Sequence, residues 1–286
     1  MAGKIISLSP ALTEIIYALG AQDALAANTR HCDYPPAAKG KNRIEPWEQP
    51  SVPLARKWGA SAIFTDQIVP EKSIQECLAQ GIEVFSIRPS TLEEVYSGIM
   101  QMGAALEKQE AAEQIVSTMR QGLAAIADAA RTPGKKPRVY VEVAGKPPEC
   151  AGLWVPKLVE IAGGASGLNS EGQPHRSVSR KEIFEYNPEV MVVAWRNSGG
   201  NIEMKVIDDR GWQGLSAMIG GRLVVLDDAL LLRPTPRLVQ GAARMAQVIA
   251  MAANPAPAGS EPDEGWVVSS DGASSGANGG MHEPRI

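Results

Sequence analysis

Cysteine is scarce: Cys32, Cys77 and Cys150 are the only three, and none stands in a C-x-x-C pair. So odd and sparse a set argues against a disulfide framework and reads as reduced thiols. Histidine is equally rare, three in 286 residues, and one of them, His282, lies near the end. A Ser-His-Asp set therefore has few ways to assemble. Aromatic residues make up 5% of the chain, and its basic residues are scattered under a net charge of −4. Without an aromatic and arginine platform, nucleic acid is a poor partner. No apolar run approaches the roughly 18–20 residues of a membrane span. There is no P-loop and no Rossmann glycine fingerprint, and Gly163-Gly-Ala-Ser-Gly167 misses the spacing of a nucleophile elbow. A leader is missing too: Met1-Ala-Gly-Lys4 runs straight into the strand-like Ile5-Ile-Ser-Leu8. These absences predict a non-catalytic, cytoplasmic protein, or a periplasmic or cell-surface one if the N-terminus was trimmed.

What is present is a repeating strand and helix pattern. Residues 4–8 form a short apolar run, Ser9 is an N-cap with Pro10 at the first helical position, and Leu12, Ile15, Ile16 and Leu19 keep helical spacing. Strands are expected at Ala62-Ile-Phe-Thr65 and Glu83-Val-Phe-Ser-Ile87, each after an amphipathic stretch. From Ser90 to about Ala130 the pattern is helical throughout. Thr91 and Glu94 suggest a capping start, and a break near Lys108 suggests two helices, the second a long spine. After Pro137 the alternation resumes, with strands at Arg138–Val143, Val190–Ala194 and Arg222–Leu226. Helices are expected at Trp154–Ala162 and from about Pro236 to Ala252. The expectation is an α/β fold of two Rossmann-like αβ lobes: an N-terminal lobe over 1–90, a helical spine over 91–133 and a C-terminal lobe over 134–253. The Pro-, Gly- and Ser-rich segment 254–286, with Trp266-Val267-Val268 as its apolar island, is expected to stay disordered.

Ligands of open α/β sheets bind beyond the carboxyl ends of the strands. Those ends carry Ser9-Pro10-Ala11, Asp66-Gln67, Ala144 to Gly152, Trp195-Arg196 and Asp227-Asp228. Three features stand out beside them. Arg30-His31-Cys32-Asp33-Tyr34 precedes a double proline, and His31 reads either as a surface or capping histidine or as a cleft residue. Trp47, Trp154 and Trp195 fall on expected loops or strand ends, where broad rigid side chains suit a flat ligand. Arg233-Pro-Thr-Pro-Arg237 stiffens the entry to the last helix, with Arg233 free to bond a ligand or to pair with Asp227 or Asp228.

These segments carry a resemblance. Ile6-Ser-Leu-Ser-Pro-Ala-Leu-Thr-Glu-Ile15 and Cys32-Asp-Tyr-Pro-Pro36, then Gly152-Leu-Trp-Val-Pro156, Glu160-Ile-Ala-Gly-Gly164, Val178-Ser-Arg180, Asn187-Pro-Glu189 and Arg233-Pro-Thr-Pro-Arg-Leu238 resemble cobalamin-binding proteins of the ABC-importer substrate-binding family. The likeness runs over roughly residues 4–252. It implies a class III periplasmic-binding-protein-like fold, two lobes joined by a long rigid helix with a ligand cleft between them. It also implies a corrinoid such as cobalamin in that cleft, facing Pro10, Ala11, His31, Trp47, Asp66, Trp154, His175, Asp228 and Arg233. His31, Asp66 and His175 stand where the family has aromatic residues, and either histidine suits an axial position on corrinoid cobalt. The family's acidic anchors for an ABC permease are replaced by Pro53 and Lys181, with Glu182 adjacent, which disfavours that partner.

Two further readings compete. One is an importer component for cobalamin, haem or a ferric siderophore, although few arginines or tyrosines are expected in the cleft for a siderophore. The other is a chelatase-like metal-tetrapyrrole enzyme handling metal through His31 and His175.

Overall fold

The first strand shows why its sequence is an unbroken apolar run. Ile5 turns to one face of the sheet and Ile6 to the other, and both are fully buried. Side chains alternate along a strand, so a sheet covered on both faces needs apolar residues at every position. The computed structural model describes residues 3–45, 48–131 and 134–253. Segment 254–286 and Trp47 lie outside the described residues.

The first lobe runs β1 (Lys4–Ser7), α1 (Pro10–Ala18), β2 (Leu25–Thr29), β3 (Asn42–Ile44), α2 (Val52–Trp58), β4 (Ala60–Thr65), α3 (Glu71–Leu78) and β5 (Glu83–Ser86). Its strands are all parallel, in the order β3-β2-β1-β4-β5. Helices α4 (Leu92–Ala105) and α5 (Gln109–Ala129) follow. The break read near Lys108 is the turn between them. Gly103 lets them pack closely, because a Cβ there would meet that of Ala112 at 2.4 Å.

The second lobe contains β6 (Arg138–Gly145), β7 (Pro148–Cys150), α6 (Val155–Ile161), β8 (Ala165–Ser166), β9 (Arg176–Ser177), α7 (Arg180–Tyr186), β10 (Val190–Val193), α8 (Met204–Asp208), α9 (Ser216–Ile219), β11 (Leu223–Val225), α10 (Ala229–Leu232) and α11 (Leu238–Ala253). Its strand order is β11-β10-β6-β7-β9, with β8 also beside β6. β6, β10 and β11 are parallel, while β7 pairs antiparallel with both β6 and β9. That antiparallel edge departs from the Rossmann-like pattern expected.

The two lobes share one apolar core. Ile5 and Phe64 of the first sheet and Val141 and Val192 of the second belong to a single cluster. It is completed by Ile99 of α4, Met119 and Leu123 of α5, and Leu238 and Met245 of α11. Burying each such side chain stabilises by about 1.5–3 kcal/mol, so the lobes are fused through their inner faces as well as joined by α5. The outer faces are separate: Ile6 and Ile63 pack under Leu54 and Cys77, and Met191 and Val193 under Ile183 and Ala217.

An ionic cluster also bridges the lobes. Glu14 of α1 accepts from Arg233 Nη1 at 2.7 Å and from Arg237 Nη1 at 3.5 Å, across the interlobe boundary. Arg233 also reaches Asp33 at 2.7 Å, and Arg237 reaches Asp227 at 3.4 Å. Glu14 is 3% exposed. Burial pushes its carboxyl up from the ordinary value, against the pull of Arg233 and then Arg237. Removing one partner of a buried cluster leaves the others less well compensated, and here Arg233 and Arg237 would keep only Asp33 and Asp227. Glu14→Ala is therefore expected to lower unfolding stability by about 3 kcal/mol, read from urea denaturation with an unchanged slope.

Candidate functional site

Sheet topology decides which loops meet. β1 lies between β2 and β4, and all three point the same way, so their carboxyl ends deliver Pro10 and Ala11, Arg30 and His31, and Asp66 to one edge. Strand order reverses at β1, the position where open α/β sheets form a crevice. In the second lobe β10 and β11 are parallel neighbours, and their ends deliver Arg196 to Gly199 and Asp227 to Asp228. The two edges face each other across a cavity of about 590 Å³.

Each wall is held from behind. Ser9 caps α1 through Leu12 N–H at 3.4 Å and donates its hydroxyl to Asp66 Oδ2 at 2.7 Å, tying the ends of β1 and β4 together. Protein around Asp66 pushes its carboxyl up, offset in part by the Ser9 bond. Arg30 and His31 are the central residues of a tight turn closed by Cys32 N–H donating to Thr29 O at 3.0 Å. Arg43 donates to Thr29 O at 3.0 Å and Cys32 O at 3.3 Å, and the Cys32 thiol sits between the Thr13 and Thr29 hydroxyls at 3.1 and 3.2 Å. Burial pushes that thiol up, which keeps it protonated and inert. On the opposite wall Asp228 clamps the loop after β10, accepting from Asn197 N–H at 3.0 Å and Gly199 N–H at 2.9 Å. Asp227 accepts from Ala229 N–H at 2.9 Å.

Of the residues expected to face ligand, Pro10, Ala11, His31, Asp66, Asp228 and Arg233 line this cavity. Trp154 does not. It is 4% exposed, inside the shared core, and its indole N–H donates to Leu231 O at 2.8 Å. The same position that looks like a loop in sequence is the N-cap of α6, pinned by packing. His175 is also away from the cavity lining, half-buried beside β9, with Nδ1 accepting from Gly152 N–H at 2.9 Å. Trp195 turns back onto Gly145 and donates to Glu142 at 2.8 Å, and Arg210 completes that buried network. The aromatic wall expected from Trp154 and Trp195 is thus absent among the described residues.

Three arginines line the cavity, Arg30, Arg196 and Arg233, where few were expected. The strand-end rule already pointed to Arg196 and Asp227, whereas the family likeness passed over both. Arg196 donates to Glu149 at 2.6 Å. Among the described residues no group of three or more His, Cys, Asp or Glu is placed to hold a metal ion. None of the described helices is long and apolar enough to cross a membrane.

Comparison with known proteins fits this architecture. Residues 5–230 match the family described as periplasmic binding protein. The vitamin B12-binding protein of Photorhabdus laumondii is 25% identical over 256 residues, 85% of this chain and 86% of its own. Among solved structures, the periplasmic vitamin B12 binding protein BtuF of Vibrio cholerae superposes with a TM-score of 0.68 at 23% identity, over 88% of this chain and 98% of its own. The periplasmic heme-binding protein RhuT from Roseiflexus sp. RS-1 gives 0.74 at 20% identity, over 88% and 100%. The fold is that of the class III binding proteins, two lobes with the cleft between them. These relatives bind ligands rather than transform them, which removes the chelatase alternative: the chain is a binding protein and not an enzyme. They also overturn the cytoplasmic location inferred from the first residues, since the matched family is described as periplasmic and these solved neighbours are periplasmic proteins. A match over residues 5–230, together with two lobes whose strand ends enclose one cavity, makes this chain a member of the periplasmic binding protein family.

Proposed function

We propose that the chain binds one corrinoid, cobalamin or a precursor, in the cavity between the lobes spanning 1–90 and 134–253, as a carrier, scavenger or delivery protein. The observation that carries this reading is the near full-length likeness to vitamin B12-binding proteins, 85% of this chain for one and 89% for another. The open interlobe cavity suits a broad ligand, and the binding residues are Pro10, Ala11, His31, Asp66, Asp228 and Arg233. Asp228 and Arg233 act mainly by holding the walls, because the atoms that could meet ligand are already engaged. Haem or a ferric siderophore is the second reading, favoured by the arginines at the cavity, of which Arg30 makes no bond to the described residues.

Delivery to an ABC permease is the partner reading that the resemblance brings. In that likeness the anchor positions fall on Pro53 and Lys181, with Glu182 and Glu48 as the nearest acids. Pro53 lies on α2, and Lys181 on α7 stands 3.7 Å from Glu185. Glu182 is committed: it closes a capping box with Ser179 and pairs with Arg176 at 2.9 Å, and its carboxyl is held down at about 2, chiefly by the Ser179 N–H. Docking on a permease would therefore use other groups, and capture by a cobalamin permease in nanodiscs should survive Glu182→Gln.

Of the two histidines proposed as axial ligands, His31 is exposed in the cavity, and His175 has Nδ1 occupied outside it. Burial and then Arg196 push the His175 imidazole down to about 4, from an ordinary 6.5.

Isothermal calorimetry with cobalamin, cobinamide and haem tests the ligand. Heat with cobalamin at one per chain is expected; heat with haem alone sinks the corrinoid reading. The visible bands of bound cobalamin should change on His31→Ala and stay unchanged on His175→Ala. The His175 imidazole carries its own pH signature. The unfolded chain takes up a proton near 6.5 and the folded one only near 4, so the unfolded state binds more protons between these values. Stability contributed at His175 is present above pH 6.5 and is lost as pH falls towards 4. His175→Gln should flatten that part of the stability profile, measured by denaturation at a series of pH values.

A further inference from the structure

The charged groups that line the cavity differ in how much of their hydrogen-bonding capacity the protein already uses. Three arginines and four aspartates line it among the described residues. Asp33 is held by Arg233, Asp227 by Arg237 and the Ala229 N–H, and Asp228 by two backbone N–H groups. Asp66 takes the Ser9 hydroxyl, and burial raises its carboxyl. On the cationic side, Arg233 is bonded to Glu14 and Asp33, and Arg196 to Glu149. That leaves Arg30, which is exposed in the cavity and makes no hydrogen bond or ion pair with the described residues. Arg30 is also presented on a fixed base. Its turn is closed by the Cys32 N–H, held from behind by Arg43 and packed against the buried Cys32 thiol. A guanidinium on a pinned turn, with its donors unspent, matches the planar two-oxygen edge of a phosphate or carboxylate.

We infer that Arg30 is the cavity's receptor for an anionic oxygen group of the ligand, and that it makes the protein prefer anion-bearing chelates over those lacking the anion. The inference rests on the proposed cavity function and adds the ligand's charge to it. Phosphate and carboxylate share this chemistry. Within the corrinoid reading the source is the phosphodiester of cobalamin's nucleotide loop, which cobinamide lacks; within the haem reading it is a propionate.

The test is calorimetry on the full chain and on Arg30→Gln and Arg30→Lys, with cobalamin, cobinamide and haem as probes at two salt concentrations. Arg30 has no described protein partner, so the variants should fold, and circular dichroism checks this. A charge-assisted hydrogen bond predicts cobalamin bound about tenfold or more tighter than cobinamide by the unaltered chain. Arg30→Gln should bring that ratio close to one by weakening cobalamin alone, and Arg30→Lys should restore part of it. The cobalamin preference should shrink at high salt in the unaltered chain. Equal loss for cobalamin and cobinamide, or no loss for either, overturns the role of Arg30 while leaving the corrinoid reading intact. Haem binding without either corrinoid overturns the corrinoid reading, and a selective loss of haem in Arg30→Gln would then support the anion receptor with carboxylate as its source. No binding of any of the three overturns both.

Discussion

Glu14 organises the junction between the lobes. One carboxylate from the first helix of the first lobe meets two guanidiniums from the segment that enters the last helix of the second. Those arginines in turn hold Asp33 and Asp227, which belong to opposite walls of the cavity. The cluster therefore sets the separation of the walls and neutralises charges that would otherwise face a ligand. A buried ionic cluster is no guarantee of net stability, since desolvation opposes the Coulomb attraction, but it is specific about geometry. Here that geometry is reinforced by the apolar core that runs from Ile5 through Met119 to Met245.

The walls follow from strand order. Parallel strands all deliver their loops to the same edge, and the reversal at β1 opens a crevice into which Pro10, His31 and Asp66 project together. Most of the polar groups there are spent on the protein itself. Asp228 is an example: a carboxylate in a ligand cavity whose two oxygens both serve the loop at Asn197 and Gly199. Residues that line a cavity and residues free to bind are thus different sets. The difference is read only from the hydrogen bonds.

Much of the architecture was legible in local signals. Ser9 and Pro10 predicted the start of α1, Thr91 with Glu94 that of α4, and the apolar run Val190-Met-Val-Val193 a strand, which the structure covers on both faces. The weaker strands were not legible: Leu25-Ala-Ala-Asn-Thr29 has little β-branched or aromatic character, yet it pairs with both β1 and β3. Trp154 was misjudged because a residue at the edge of a helix can point either outward or into the core, and the Leu231 carbonyl that accepts its indole N–H comes from 77 residues away. Location was misjudged for a different reason: it was read from the first residues alone, and the periplasmic relatives overturn that reading.

Periodicity, capping and turn chemistry act over three or four residues, so they are written in the chain itself. They determined the two αβ lobes, the helical pair between them and the strand ends where a ligand would meet the protein. The pairing of charges is another matter. Arg233 and Glu14 are 219 positions apart, and Asp33 and Arg233 200, so nothing local indicates that they meet. Only the folded arrangement decides that Arg233 is consumed, that Asp228 faces a loop and that Arg30 is left with its charge open to the cavity. Electrostatic partners depend on distance through space, which the chain order does not contain.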